Sequence, residues 1–337
     1  MGGIWFNPGQ LGGSVGELVG YKVGLALTRR QFTSHLRDEP YYQDIWRKSF
    51  NSVVRIRSEV VEGLVAYLLF RLGRISDPSP IPSSIRLYKK LLGSKRKLKI
   101  LMEVQERWSE LVKTTLSEGR KVIEPSQLVI SAVEDFGPTG GTIAMELVRG
   151  FSEDLERSPW SRIRHVEWRD TKELSELFRS QSLDTLYGNF LDQRFVDYLG
   201  ANVDKVGTIH WRKFEGLAAE YFARLGFEVA IGPGSNDGNV DIRVWGDTQS
   251  VDGPPLLLVQ CKRQKAKVGK VIVKALWADV QHEKARGGLI VTTSTIERGA
   301  RETCIARGYN ITVADRETLP KWLSAMRSPG KGVFMSQ

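Results

Sequence analysis

The feature that most constrains this chain's fold is an apolar run that ends in a cation, Leu256-Leu-Leu-Val-Gln-Cys-Lys-Arg263. It reads as a buried strand. Side chains alternate along a strand, so Gln260 and Lys262 leave by the same face, two residues apart. An ammonium at the end of a buried run is costly without an anion, so an anionic group is expected beside it. The preceding strand, Asn239 to Gly246, follows a turn at Asp237-Gly238 and carries Asp241, with Val240, Ile242 and Val244 pointing the other way. If these strands pair, an acid, an amide oxygen and a lysine converge. That set suits a divalent-metal site for phosphodiester hydrolysis.

The pattern around this pair defines a domain. Residues 209–225 put Phe214, Leu217, Ala218, Tyr221, Phe222 and Leu225 on one helical stripe, which Gly226 ends. A strand follows over Phe227 to Ile231. After the two strands come an amphipathic helix (Val268 to Ala285) and an apolar strand (Gly288 to Thr293). A helix (Ile296 to Arg307), a strand (Ile311 to Val313) and a last helix (Thr318 to Ala325) complete it. The order αβββαβαβα predicts a mixed sheet flanked by helices, here over residues 205–330.

Residues 1–200 read as a mainly α-helical region with no repeat and no nameable chemistry. Residues 1–30 are glycine-rich without the spacing of a P-loop or a dinucleotide fingerprint, and suggest a packed or mobile arm. Residues 40–74 look helical up to Gly73. Asp77-Pro-Ser-Pro-Ile-Pro-Ser-Ser84 is too proline-rich for helix interior and marks a linker at 75–84. Arg86, Lys89, Lys90, Lys95, Arg96, Lys97 and Lys99 then follow with no acid among them. A solvated helix face explains them better than phosphate contact. The helical pattern runs on through Trp108 and Leu111 to Gly119. Residues 126–158 suggest two helices divided by Gly137-Pro-Thr-Gly-Gly141, and Arg164 to Trp168 a short strand. Asp170 is read as the cap of a helix through Leu174, Leu177 and Phe178. Another helix is expected from Leu186 to Leu199, ended by Gly200 and Asn202.

Charge and cysteine usage narrow the partners. With 49 basic against 39 acidic residues the net charge is +10, which favours a polyanion. Cys261 and Cys304 form no CxxC pair, which fits a reducing cytoplasm rather than a disulfide scaffold. The four histidines are scattered, against a zinc site. No apolar run is long enough to span a membrane, and the N-terminus does not read as a signal peptide. A cytoplasmic protein is expected.

Several fragments, taken in order, carry a family resemblance. They are Phe214-Glu215-Gly-Leu-Ala-Ala-Glu-Tyr-Phe-Ala-Arg-Leu-Gly-Phe-Glu-Val, Asn236-Asp-Gly-Asn-Val-Asp241, Val259-Gln-Cys-Lys-Arg263 and Gly288-Leu-Ile-Val-Thr-Thr-Ser294. Over residues 208–326 the chain resembles the Mrr-like catalytic domain of type IV restriction enzymes, within the PD-(D/E)XK nucleases. The stretch Phe190 to Leu199, leading into His210-Trp211, also looks like bacterial proteins that carry this domain. The resemblance implies a restriction-endonuclease-like fold with an αβββαβ core. It implies Asp241 as central metal ligand, with Gln260 and the Cys261 carbonyl adding oxygens. Lys262 would orient or deprotonate the attacking water, and Glu215 would complete the site directly or through water. Mg²⁺ suits such hard oxygen ligands, with Mn²⁺ substituting. Gln260 is neutral where many of these nucleases have Glu, and Gln is the usual variant in the Mrr-like branch.

Arg263, Lys265, Lys267, Lys270 and Lys274 continue from the site without an intervening acid and are read as DNA phosphate contacts. Trp245 and Trp277 suit core packing better than base stacking. The leading expectation is a Mg²⁺-dependent DNA endonuclease, acting in restriction of foreign or modified DNA, with a homodimer for double-strand cuts. Two other readings share the fold: a nucleic-acid-binding protein that no longer cuts, and a structure-specific repair or junction nuclease.

Overall fold

The computed structural model describes residues 3–120, 122–158, 168–234, 240–246, 253–327 and 333–334. The chain forms two compact units, Met1–Lys172 with Ser328–Gln337, and Glu173–Arg327.

The first unit opens with β1 (Gly3–Phe6), α1 (Gln10–Val23), β2 (Leu25–Ala26), α2 (Arg29–His35) and α3 (Pro40–Lys48). It continues with β3 (Val54–Arg57), α4 (Ser58–Arg71), α5 (Ser83–Leu91), α6 (Lys95–Ser117), β4 (Val122–Ile123) and α7 (Ser126–Arg157). The mainly helical expectation holds. The glycine-rich arm is a strand and a packed helix, and Gly12 is needed there. A Cβ at Gly12 would lie 2.3 Å from the Phe50 ring. One predicted helix over 40–74 is in fact α3 and α4 separated by β3. Val54 and Ile56 alternate with Arg55 and Arg57, and the strand pairs antiparallel with β1. α5 already begins at Ser83, inside the predicted linker. α7 breaks where expected: Gly137 takes φ 67°, ψ −162° ahead of Pro138. α5, α6 and α7 enclose one apolar cluster, including Leu87, Leu101, Val104, Trp108, Leu128 and Leu147. Of the strand predicted over 164–168, residues 164–167 lie outside the described residues, and Trp168 belongs to no strand.

β5 (Lys172–Glu173) leads into the second unit, followed by α8 (Leu174–Arg179), α9 (Gln193–Ala201) and a 3₁₀ turn at Val203–Thr208. Glu173, not Asp170, is the N-cap of α8. The helix expected from Leu186 starts only at Gln193, where the Asp192 side chain accepts the Arg194 amide and caps it. Then come α10 (Trp211–Arg224), β6 (Glu228–Ile231), β7 (Ile242–Trp245) and β8 (Leu257–Lys262). α11 (Lys270–His282), β9 (Gly287–Thr292), α12 (Arg298–Arg307), β10 (Ile311–Ala314) and α13 (Leu319–Met326) complete it.

The sheet order is β10-β9-β8-β7-β6. β8, β9 and β10 run parallel, while β7 is antiparallel to both β8 and β6. This is the mixed sheet expected from the sequence. α11 and α12 cover β8 and β9, where Leu258, Ile290, Val273, Leu276, Val280 and Ala300 share one buried cluster. α10 packs on β6, β7 and β8 and against α13. Each fully buried Leu, Ile or Val here contributes about 1.5–3 kcal/mol. Among the described residues, no helix is long and apolar enough to cross a membrane.

Candidate active site

β7 and β8 pair regularly through Val244↔Leu257, Arg243↔Leu258 and Ile242↔Val259. At Asp241 the ladder changes character. Its amide donates to the Val259 carbonyl at 3.0 Å, and its own carbonyl accepts from Gly232 at 2.8 Å. Its carboxylate Oδ2 accepts the Cys261 amide at 2.5 Å. The side chain therefore stands in for backbone where the two strands part. That pins the carboxylate to the end of β8, beside Gln260 and Lys262.

Gln260 is 2% exposed. Its Oε1 has no hydrogen-bond partner among the described residues. A buried acceptor left empty costs about 1–3 kcal/mol, and such groups call for an explanation. Lys262 is half-buried. Its carbonyl accepts the Thr292 hydroxyl at 2.8 Å, which fixes the backbone. Among the described residues its ammonium makes no ion pair.

Glu215 reaches the same place from α10. His210 caps that helix, its Nδ1 accepting the Arg212 amide at 3.1 Å. Glu215 is 6% exposed, and its carboxylate accepts from Arg212 Nη1 at 2.7 Å. The Cys261 thiol registers all of these charges. Burial first, then the Asp241 and Glu215 carboxylates, push its pKa well above the usual thiol value, and Lys262 opposes them. Asp241, Glu215 and Lys262 thus all act on Cys261, the residue that follows Gln260 on β8. The thiol itself stays protonated at neutral pH.

The donor set fits a hard divalent cation. Asp241 and Glu215 offer carboxylates, Gln260 a desolvated amide oxygen, and Cys261 a backbone carbonyl. The empty Gln260 Oε1 is the feature that such an ion would satisfy. The set is poor in charge: among the described residues no three or more His, Cys, Asp or Glu side chains cluster as metal ligands.

Arg263, Lys265, Lys267, Lys270 and Lys274 are all exposed. Arg263 Nη1 donates to the Gly207 carbonyl at 3.1 Å. Trp245 is 6% exposed and donates to the Gly253 carbonyl, and Trp277 stacks on Tyr309 at 4.9 Å. Both tryptophans therefore serve the core. Asp237 lies outside the described residues.

Two residues of this region escaped the sequence reading. Arg212 holds Glu215, as described. Glu220 is fully buried, and its Oε2 accepts the amides of Asn189, Phe190 and Leu191 at 2.8, 2.6 and 3.1 Å. Its Oε1 accepts Arg224 Nε at 2.7 Å. Glu220 thereby ties the segment before α9 onto the helix that carries Glu215. A signal existed: Glu220 sits between Ala219 and Tyr221, in the most apolar part of α10.

A family model described as restriction endonuclease matches residues 206–323. The resemblance read from the C-terminal third is thereby borne out. The chain is 30% identical over 118 residues to the uncharacterized protein y4cE of Sinorhizobium fredii (strain NBRC 101917 / NGR234). That match covers 34% of this chain and 30% of the relative, so the chain spans under a third of that protein's length. Among solved structures, the chain is similar to the MspJI restriction endonuclease in complex with a 27-mer oligonucleotide. There the TM-score is 0.28 and the identity 21%, over 47% of this chain and 36% of the other.

Proposed function

We propose that residues 206–323 form the catalytic centre of a Mg²⁺-dependent DNA endonuclease that hydrolyses phosphodiester bonds in restriction of foreign or modified DNA. The observation that carries this reading is the buried Gln260 Oε1 near the Asp241 carboxylate and the Lys262 ammonium, both Oε1 and the ammonium without a partner among the described residues. The family match to a restriction endonuclease supports it.

In this reading Asp241, Gln260 Oε1 and the Cys261 carbonyl hold Mg²⁺, and Glu215 completes the set directly or through water. Mn²⁺ substitutes. When bound, the ion polarises the phosphate and lowers the pKa of water. Lys262 orients the attacking water and offsets negative charge building on the phosphate oxygens. Arg212 pairs with Glu215 at 2.7 Å and offsets its charge inside a buried site. The exposed cations from Arg263 to Lys274 hold the DNA backbone without reading its sequence. Cutting both strands takes two such centres, which a homodimer supplies.

Lys262→Ala removes one catalytic cation from a backbone position that Thr292 still fixes. Its cleavage rate falls by about 10³-fold, while DNA binding in EDTA stays near that of the unsubstituted protein. Cleavage at the unsubstituted rate contradicts the mechanism. The neutral Gln260 and the Arg212–Glu215 pair favour a second reading, a DNA-binding protein of the same fold that does not cut. A Mg²⁺-dependent nicking assay separates the two.

A further inference from the structure

β8, β9 and β10 are parallel and end at one edge of the sheet, and the loops leaving them are bonded to one another. Between the first two loops, Gln264 N donates to Thr293 Oγ1 at 3.1 Å and Ser294 Oγ to the Lys265 carbonyl at 3.0 Å. Val268 N donates to Thr295 O at 2.8 Å and Glu297 N to Val268 O at 2.9 Å. The third loop joins through Arg316 N, which donates to Ser294 O at 3.1 Å. The Lys270 stem lies against the start of α12: a Cβ on Gly299 would be 2.7 Å from Lys270 Cε.

Each loop contributes exposed cations. Lys265 and Lys267 come from the first, with Lys270 opening α11 behind it; Arg298 and Arg301 stand on the first turn of α12 behind the second, and Arg316 comes from the third. Four acids, Glu297, Glu302, Asp315 and Glu317, offset part of this charge and leave the rim net positive. Glu302 pairs with Arg298 at 2.7 Å, but both are exposed, and such pairs are weak. Asp315 is occupied with the Glu317 amide and the Thr318 hydroxyl. Glu297 and Glu317 are exposed without ion pairs among the described residues. Bonded loops hold these cations at fixed spacing, so less order has to be imposed when a polyanion binds.

We propose that this three-loop rim is a phosphate track. It holds the DNA backbone leading away from Lys262, and Arg298, Arg301 and Arg316 bind phosphates beyond the Arg263–Lys274 flank. The partner rests on the endonuclease reading above.

The test is the salt dependence of affinity for a mixed-sequence duplex, measured by fluorescence anisotropy on the full chain in EDTA. Every phosphate that a variant no longer neutralises flattens the slope of log K against log salt by about 0.9. The Arg298→Ala/Arg301→Ala/Arg316→Ala variant is expected to flatten it by about 2 to 3. The same three positions changed to Lys keep the slope, because phosphate neutralisation follows charge. Lys95→Ala/Arg96→Ala/Lys97→Ala, on α6 of the other unit, also keeps it. An unchanged slope in the first variant, with the unsubstituted protein binding and cutting DNA, overturns the rim alone. Equal flattening by the α6 variant overturns it too, since the slope would then report net charge. No salt-dependent DNA binding by the unsubstituted protein overturns the rim and the endonuclease reading together.

Discussion

The helical unit and the sheet unit both concentrate charge, but they use it differently. In the helical unit several charged groups are matched to each other. Arg74 pairs with Glu156, Arg86 with Asp77, Lys90 with Glu146, Arg107 with Asp135 and Arg157 with Asp154. Even the buried Lys22, whose pKa burial lowers, donates to the carbonyls of Glu156 and Ser158. At the end of β8 the matching stops. Among the described residues, Gln260 Oε1 has no donor, Lys262 has no anion within ion-pair distance, and the cations of the rim face solvent. Charge in these pairs is taken up by folding, whereas at the end of β8 an acceptor and a cation are left for a ligand. Substitutions in the two places should therefore fail in different assays.

The largest effect belongs to Lys262→Ala, which removes cleavage and leaves the unfolding midpoint nearly unchanged. Glu156→Ala should do the reverse. It strips a 3% exposed side chain from its 2.7 Å pair with Arg74 and destabilises the helical unit by about 3–5 kcal/mol, read by urea unfolding. Its cleavage per folded molecule stays at the unsubstituted level. Loss of cleavage from that variant at full folding would break the comparison. Gln260→Glu sharpens it on the other side. Adding one charge to a ligand set with few carboxylates should lower the Mg²⁺ concentration for half-maximal cleavage by about tenfold. An unchanged midpoint would remove Gln260 from the metal site. The smallest effect is expected of Lys90→Ala, whose pair with Glu146 is exposed, at about 0–0.5 kcal/mol and no change in cleavage.

Much of the sheet unit was readable because its strands are short apolar runs next to one another in sequence. The pairing of β7 with β8 needed only alternation and one turn, and it carried Asp241, Gln260 and Lys262 into the site with it. Glu215 came from the family resemblance, since one acid on a helix has no signature of its own. What escaped depended on partners distant in the chain. β3 looked helical because its partner, β1, lies about fifty residues upstream, and no local pattern announces such a pairing. Residues 186–192 looked like a helix start, but their amides at 189–191 go to Glu220 on α10. Asp192 then starts the helix about two turns later than periodicity suggested. Arg212 has no local signal, and only the fold sets it against Glu215.

Incubation of supercoiled plasmid with the full chain shows whether the end of β8 is a metal-dependent cutting centre. The account predicts nicked and linear product with Mg²⁺ or Mn²⁺, none in EDTA, and none from Lys262→Ala. Plasmid that stays supercoiled with either metal, under conditions where the protein binds it, would contradict the account.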